Sequence, residues 1–238
     1  MITFHYRSLL PPLAALAAVV LFARLGVWQL HRADEAQALR TTAEARLGAA
    51  RVALDGETLA GDPSALHWRP VEARGSWLTQ RQVLLDNQVS HGEAGYLVYT
   101  ALHLPDCRCA VLVNRGWVPA GPRRDQIPDV AFTPAGGEVR GIAAPPPAAG
   151  FGLSPGPGEA VGPVLRVQRL DAPQLSRWIG EPVAPLTVLL APEAPDGYRR
   201  EWRPPDGRGD RHLAYAVQWF IFALIAAGVA VRLNSSRR

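Results

Sequence analysis

The stretch that decides the fold is Leu213–Val231, "LAYAVQWFIFALIAAGVAV". It carries no charge, and it comes too late in the chain to be a targeting signal. A helix rises ~1.5 Å per residue, so about 20 apolar residues cross a hydrocarbon layer of ~30 Å. The run is long enough to be a transmembrane helix. A second run of the same kind stands near the start, Leu9–Leu30, "LLPPLAALAAVVLFARLGVWQL". Its single charge, Arg24, lies toward the end of the span, where a long side chain can snorkel to the interface. A secretory signal peptide is the rival reading of this first run, given the basic Arg7 and the apolar stretch. The following "RLGVWQLHR" lacks a small-x-small cleavage site, which favours an uncleaved anchor.

Two spans divide the chain into a tail (1–8), a first span (9–30), an extramembrane domain (31–211), a second span (212–232) and a tail (233–238). Both tails then share one side of the membrane. Charge does not say which side, since Arg7, Arg232, Arg237 and Arg238 on the tails are matched by Arg32, Arg40, Arg208 and Arg211 beside the long loop. The net charge of +4 is all arginine, with no lysine anywhere, and the arginines are scattered singly among acids. That pattern argues against nucleic-acid binding.

Beyond the first span, "RADEAQALRTTAEARLGAA" has strong helix formers and predicts that the span's helix continues outside the membrane. The period then changes. "HWRPVEARGSWL" puts Val71, Ala73, Gly75 and Trp77 on alternate positions, and "RQVLLDNQV", "GYLVYTALHL", "AVLVNRGWV", "EVRGIAA", "VLRVQRLD" and "PLTVLLAP" are short β-rich runs broken by turn residues. One short helix fits "APQLSRWIG". Residues 144–163 are rich in Pro and Gly and read as a surface loop or a partly disordered insert. The fold class expected is an α+β membrane protein, two transmembrane helices flanking a mainly antiparallel β domain or small barrel.

Enzyme signatures fail one by one. Ser76 is not in a G-x-S-x-G elbow, the glycines of the Pro-rich loop miss the G-x-G-x-x-G spacing, and there is no H-E-x-x-H or P-loop. A non-enzymatic protein is the expectation. His103, Cys107 and Cys109 offer an imidazole and two thiols, a soft-metal set suited to Cu(I) or Zn. The plainer reading is a hairpin turn that happens to carry cysteines, whose one-residue separation allows at best a strained disulfide. Asn114–Pro119, "NRGWVP", ends a strand and reads as packing, or as an interface anchored by Arg and Trp.

The border of the second span poses the functional question. His212, Tyr215, Trp219 and Phe222 fall at i, i+3, i+7 and i+10 of a helix. An interfacial aromatic belt explains Tyr and Trp well and His less well. The other reading is a ligand site: the imidazole coordinates haem iron, the rings lie against the macrocycle, and Arg211 meets a propionate. At the end of the first span, Arg24, Trp28 and His31 fall at i, i+4 and i+7; His31 reads first as a plain interfacial histidine, with a second axial ligand as the alternative.

Taken together, "LGVWQLHRADE", "RPVEARGSW", "LLDNQVSHGEAGYLVYTAL", "VLVNRGWVP", "GEVRGIA" and "HLAYAVQWF", in this order, resemble the Surfeit-locus-one family of cytochrome c oxidase assembly (biogenesis) proteins. The resemblance covers nearly the whole chain outside the Pro/Gly stretch. It implies a bacterial plasma-membrane protein with a periplasmic central domain that assists maturation of haem-copper oxidase subunit I. It implies haem a as cargo, with His212 as the iron ligand and Tyr215 and Trp219 at the positions beside it; Trp28, which matches the family's pattern at the end of the first span, joins Arg211 among the candidate cofactor-binding residues. Gln29 also matches the family's pattern. The partners implied are subunit I, the lipid bilayer and a haem a synthase. A cofactor-free scaffold for subunit I, or a copper carrier using His103, Cys107 and Cys109, are the alternatives. The resemblance does not extend to Cys107, Cys109 or His31.

Overall fold

A computed structural model of the chain describes residues 6–121, 123, 126–147, 158–195, 198–202 and 209–235, with side chains from residue 10 onward. Most of the Pro/Gly stretch (148–157), the outer parts of both tails and Arg208 lie outside the described residues. The chain forms two units, residues 1–42 with 205–238, and residues 43–204.

The first unit is a pair of helices. The helix α1 runs Tyr6–Leu47, so the span continues without a break into the expected helical extension. The helix α4 runs Gly209–Ser235. Only 6% and 11% of their apolar windows are buried. Core helices of soluble proteins bury such a face, whereas lipid-facing spans leave it outward. The protein is a two-span α+β membrane protein.

What these helices do bury follows a 3.5-residue period. On α1 the inward positions include Ala15, Val19, Phe22, Gly26, Gln29, Ala33 and Ala36; on α4 they are Gly209, His212, Ala216, Trp219, Ala223, Ala226 and Ala230. This is a heptad seam made mostly of small residues, which let two backbones approach closely in lipid. Gly26 shows the need: a Cβ there would sit 2.7 Å from the Phe220 ring.

The second unit is a β domain. Its strands are β1 (Val52–Ala53), β2 (Pro70–Arg74), β3 (Ser76–Ser90), β4 (Glu93–Leu104), β5 (Cys109–Pro119), β6 (Glu138–Ala144), β7 (Glu159–Val161), β8 (Val164–Val167) and β9 (Val183–Leu190), with helices α2 (Gly56–Ala60) and α3 (Ala172–Ile179). They form one sheet in the order β1-β2-β6-β9-β5-β4-β3-β8-β7. All seven β-rich runs of the sequence are strands, and "APQLSRWIG" is α3. Asp171 caps α3 by accepting from the Gln174 N–H at 3.0 Å, and Gly180 ends it in the left-handed region at φ 94°.

The sheet is mainly antiparallel, as expected: β2–β6, β3–β4, β4–β5, β6–β9 and β7–β8 are antiparallel, and β1–β2, β3–β8 and β5–β9 add parallel pairs. The expected loop 144–163 needs correction at both ends, since Ala144 closes β6 and 159–161 form β7, which pairs with β8.

The central strands carry core on both faces, which explains the nearly unbroken apolar run of β4. Leu102 and Leu104 of β4 pack with Val111 and Val113 of β5, Val71, Val139, Leu186 and Val188 on one face. Tyr99 and Ala101 pack with Ala110, Leu112, Leu165 and the buried side of α3, Leu175 and Ile179, on the other. Burying such aliphatic side chains contributes about 1.5–3 kcal/mol each.

Candidate functional site

The site grows from the helical seam. His212 Nδ1 lies 2.7 Å from the Gln29 carboxamide oxygen. Gln29 is 8% exposed, so its polar head is withdrawn from lipid and needs a partner. The carboxamide oxygen can only accept, so Nδ1 is the donor in this pair, and in the neutral ring that hydrogen bond puts the lone pair on Nε2. Further along the seam, Trp219 stacks on Phe22 at 5.6 Å between centroids and meets the edge of Phe222 at 5.8 Å. Phe22 also contacts Phe222. The pairs run antiparallel: Gln29 with His212, Gly26 with Phe220, Phe22 with Trp219.

The residues singled out from the sequence separate here. His212 and Trp219 lie in the seam. Tyr215 is 54% exposed on the flank of α4, and Arg211 is exposed as well. Trp28 is 50% exposed on the outer side of α1, with the Arg32 guanidinium over its ring at 5.9 Å. Arg24 and His31 are exposed with it. The residue that meets His212 is therefore Gln29, one position beyond Trp28, and the aromatic neighbour missed from the sequence is Phe22. Phe22 is seven residues before Gln29, the heptad step that marks a shared seam.

The copper constellation does not assemble. In the β4–β5 ladder, Leu104 pairs with Cys109 and His103 with Ala110. Side chains alternate across a strand, so His103 projects to the Ala110 face, where its Nδ1 pairs with Glu181 Oε2 at 2.7 Å. Cys107 packs against the Leu102–Leu104 face. Cys107 and Cys109 are joined as a disulfide with Cα atoms 5.2 Å apart, inside the ordinary range of about 4.4–6.8 Å. The turn between β4 and β5 thus follows the plainer reading, and the one-residue separation does not keep the cysteines from bonding.

"NRGWVP" is core. Arg115 is 1% exposed and donates from Nη1 to Gln82 Oε1 (2.9 Å), Thr100 Oγ1 (3.2 Å) and the Val130 carbonyl (3.2 Å). Its guanidinium lies over Phe132 at 4.0 Å and Tyr198 at 4.8 Å. Asn114 Nδ2 donates to the Tyr99 hydroxyl at 3.1 Å, and burial pushes that phenol well above its ordinary range. Gly116, at φ 126°, leaves room for Tyr198, whose Cβ would be 2.6 Å from an added Cβ. Tyr96 and Tyr99 of "AGYLVY" are likewise buried.

A two-helix membrane hairpin with a polar seam pair, joined to a mixed β domain, is the class of protein defined here. The SURF1 family model matches residues 16–224, which takes in most of α1, the β domain and the first part of α4. The chain belongs to the SURF1 family. A SURF1-like protein of Monosiga brevicollis is 32% identical over 116 residues, a stretch covering 44% of this chain and 44% of that relative.

Proposed function

We propose that the protein is an assembly factor for haem-copper oxidase that holds haem a at the helical seam and assists its insertion into subunit I. The observation that carries this reading is the His212–Gln29 pair. A ligating histidine ordinarily donates its other ring N–H to an oxygen, which fixes the tautomer and raises the basicity of the ligating nitrogen. Gln29 supplies that oxygen at 2.7 Å, and Nε2 is the nitrogen left to bind iron. Family membership supports the role, and the donor set fits a porphyrin iron, for which an imidazole is a common axial ligand.

His212 ligates and Gln29 orients. Trp219, held by Phe22, supplies an apolar aromatic surface close to the ligand, and Tyr215 extends it on the exposed flank of α4. Arg211, at the mouth of the same helix, is the candidate partner for a propionate. Trp28 belongs to the outer face of α1, where the aromatic-belt reading suits it. His212 would hold the haem iron as a single protein ligand, which suits a cargo that has to be handed on. The compartment that fits this work is the outer side of a bacterial plasma membrane, with haem a synthase as donor and subunit I as acceptor.

A cofactor-free scaffold is the second reading, and the same hydrogen bond favours it in another way. Polar pairs between membrane helices act as glue, and His212 could serve only to bind α4 to α1. Co-expression with a haem a synthase, purification and a visible spectrum decide between the two. Haem bands that vanish in His212→Ala are expected; a colourless wild-type protein selects the scaffold. Protease treatment of spheroplasts tests the orientation, with cleavage of the β domain from outside expected.

A further inference from the structure

We propose that the Cys107–Cys109 disulfide is a redox site that exchanges with dithiols, rather than a staple of the fold. The strands on either side are already zipped: the β4–β5 ladder runs from Gly95–Pro119 to Leu104–Cys109. The Ala110 N–H adds a hydrogen bond to the Pro182 carbonyl at 2.8 Å. Turn and strands are thus closed by backbone pairing. The disulfide spans a sequence separation of 2. Loop-closure stabilisation grows with loop length, so a bond this local removes little freedom from the unfolded chain.

The residue inside the ring bears the strain. Arg108 adopts φ +49°, a left-handed conformation that side-chain-bearing residues seldom take. It sits exposed at the tip of the turn, with Pro105 and Asp106 also exposed and both cysteines half-buried. Opening the bond frees Arg108 and leaves the ladder intact. Strain kept at an accessible turn is typical of reactive positions.

The two sulfurs differ. Cys107 packs against the core, and its Sγ lies 3.7 Å from the Leu104 carbonyl oxygen, a place where a thiol S–H would donate. Cys109 starts β5 and has no such acceptor among the contacts found for the described residues. Core packing screens the Cys107 sulfur from an incoming thiolate, so attack falls on Cys109, and the Leu104 carbonyl serves Cys107 only once it is a thiol. A partner thiolate bonds to Cys109 Sγ; the Cys107–Cys109 bond breaks and its electron pair stays on Cys107 Sγ, which takes a proton from water and donates to Leu104. The partner's second thiolate then attacks the partner-side sulfur of the mixed disulfide. Cys109 leaves as a thiolate and is protonated. The partner dithiol has lost two electrons and two protons, and the Cys107–Cys109 pair has gained them.

The test uses full-length protein in nanodiscs and does not depend on haem. Dithiothreitol is added in native buffer, thiols are counted by maleimide mass, and the thermal midpoint is read by circular dichroism. Two adducts per chain are expected, with the midpoint moved by no more than about 3 °C. Cys107→Ser is expected to form a mixed disulfide with oxidised glutathione roughly tenfold faster than Cys109→Ser. Adducts that appear only in denaturant, or a midpoint lowered by about 10 °C or more on reduction, overturn the proposal in favour of a staple. Equal or reversed rates in the two serine variants overturn the assignment of Cys109.

Discussion

Replacing Gln29 by Met separates the two uses of the seam pair by magnitude. Methionine keeps a long unbranched stem in the seam and removes only the carboxamide. As glue, the lost bond is small: polar contacts between membrane helices contribute about 0.6 kcal/mol on average and up to ~1.7 kcal/mol. As an orienting bond it is larger in its effect on the ligand, because removing such a partner weakens metal affinity by about 10–100-fold. That is ~1.4–2.8 kcal/mol at about 1.4 kcal/mol per decade. Haem a is titrated into purified full-length protein in nanodiscs and followed by absorbance, with thermal unfolding measured in parallel. Gln29→Met is expected to lose tenfold or more in affinity with a thermal midpoint close to wild type. Gln29→Glu, which keeps an acceptor oxygen, is expected to bind at least as well as wild type. Affinity unchanged in Gln29→Met, with binding still lost in His212→Ala, would refute the orienting role at Nδ1. Affinity unchanged in both would remove the ligand reading altogether.

Other consequences are open to measurement. Gly26→Leu places side-chain atoms where a Cβ alone would stand 2.7 Å from Phe220, and overpacking of this kind costs about 1–3 kcal/mol; the thermal midpoint of the full chain should drop, and drop less in Gly26→Ala. Arg115→Met removes the charged donor shared by Gln82, Thr100 and the Val130 carbonyl, leaving Gln82 only the 3.3 Å bond from the Thr100 hydroxyl, and should destabilise the β domain by roughly 3 kcal/mol, read as a lower urea midpoint. Burial, and secondarily Arg46, hold the His67 imidazole below its ordinary value of 6.5. The unfolded chain therefore takes up the proton first as pH falls. The contribution of His67 to stability is full above pH 6.5 and is lost as pH drops from there through the folded-state value. His67→Gln should flatten that part of the stability–pH curve in urea titrations.

The β domain was largely legible because its signals are local. Alternation at Val71 and Ala73, and turn residues between runs, predict strands whatever their partners. Partnership is not local. Nothing in "VLRVQRLD" says that β8 lies parallel to β3, and β1 and β7 are too short to impose a period. Arg115 follows the packing reading rather than the interface one, but its partners were not legible: burial of a guanidinium depends on Gln82 and Thr100, neither adjacent in sequence. At the cysteines, a one-residue separation suggested that bonding would be strained. The left-handed Arg108 brings the Cα atoms to 5.2 Å and makes the bond fit.

In the helical unit the limit was different in kind. A helix wheel groups residues on one face, and the groupings of His212 with Trp219 and of Arg24 with Trp28 and His31 are right as geometry. The wheel does not say which face is inside. In water the apolar face is the buried one, so hydrophobicity settles the matter. In lipid the outward face is apolar too, and Leu213, Leu224, Ile225 and Val231 are exposed on α4 for that reason. Smallness is the surviving mark of the inside. Ala216, Ala223, Ala226 and Ala230 recur at steps of three, four and seven, and they continue the positions of His212 and Trp219. Tyr215 and Phe222 each stand one residue before an alanine of that series, which puts them on the flank. Followed on α1, the same rule runs through Ala15, Phe22, Gly26, Ala33 and Ala36 and passes through Gln29, leaving out Trp28 and His31. A polar residue that keeps step with small ones along a membrane helix is turned toward another helix. Its partner is then the next polar residue on the facing seam, and for Gln29 that is His212.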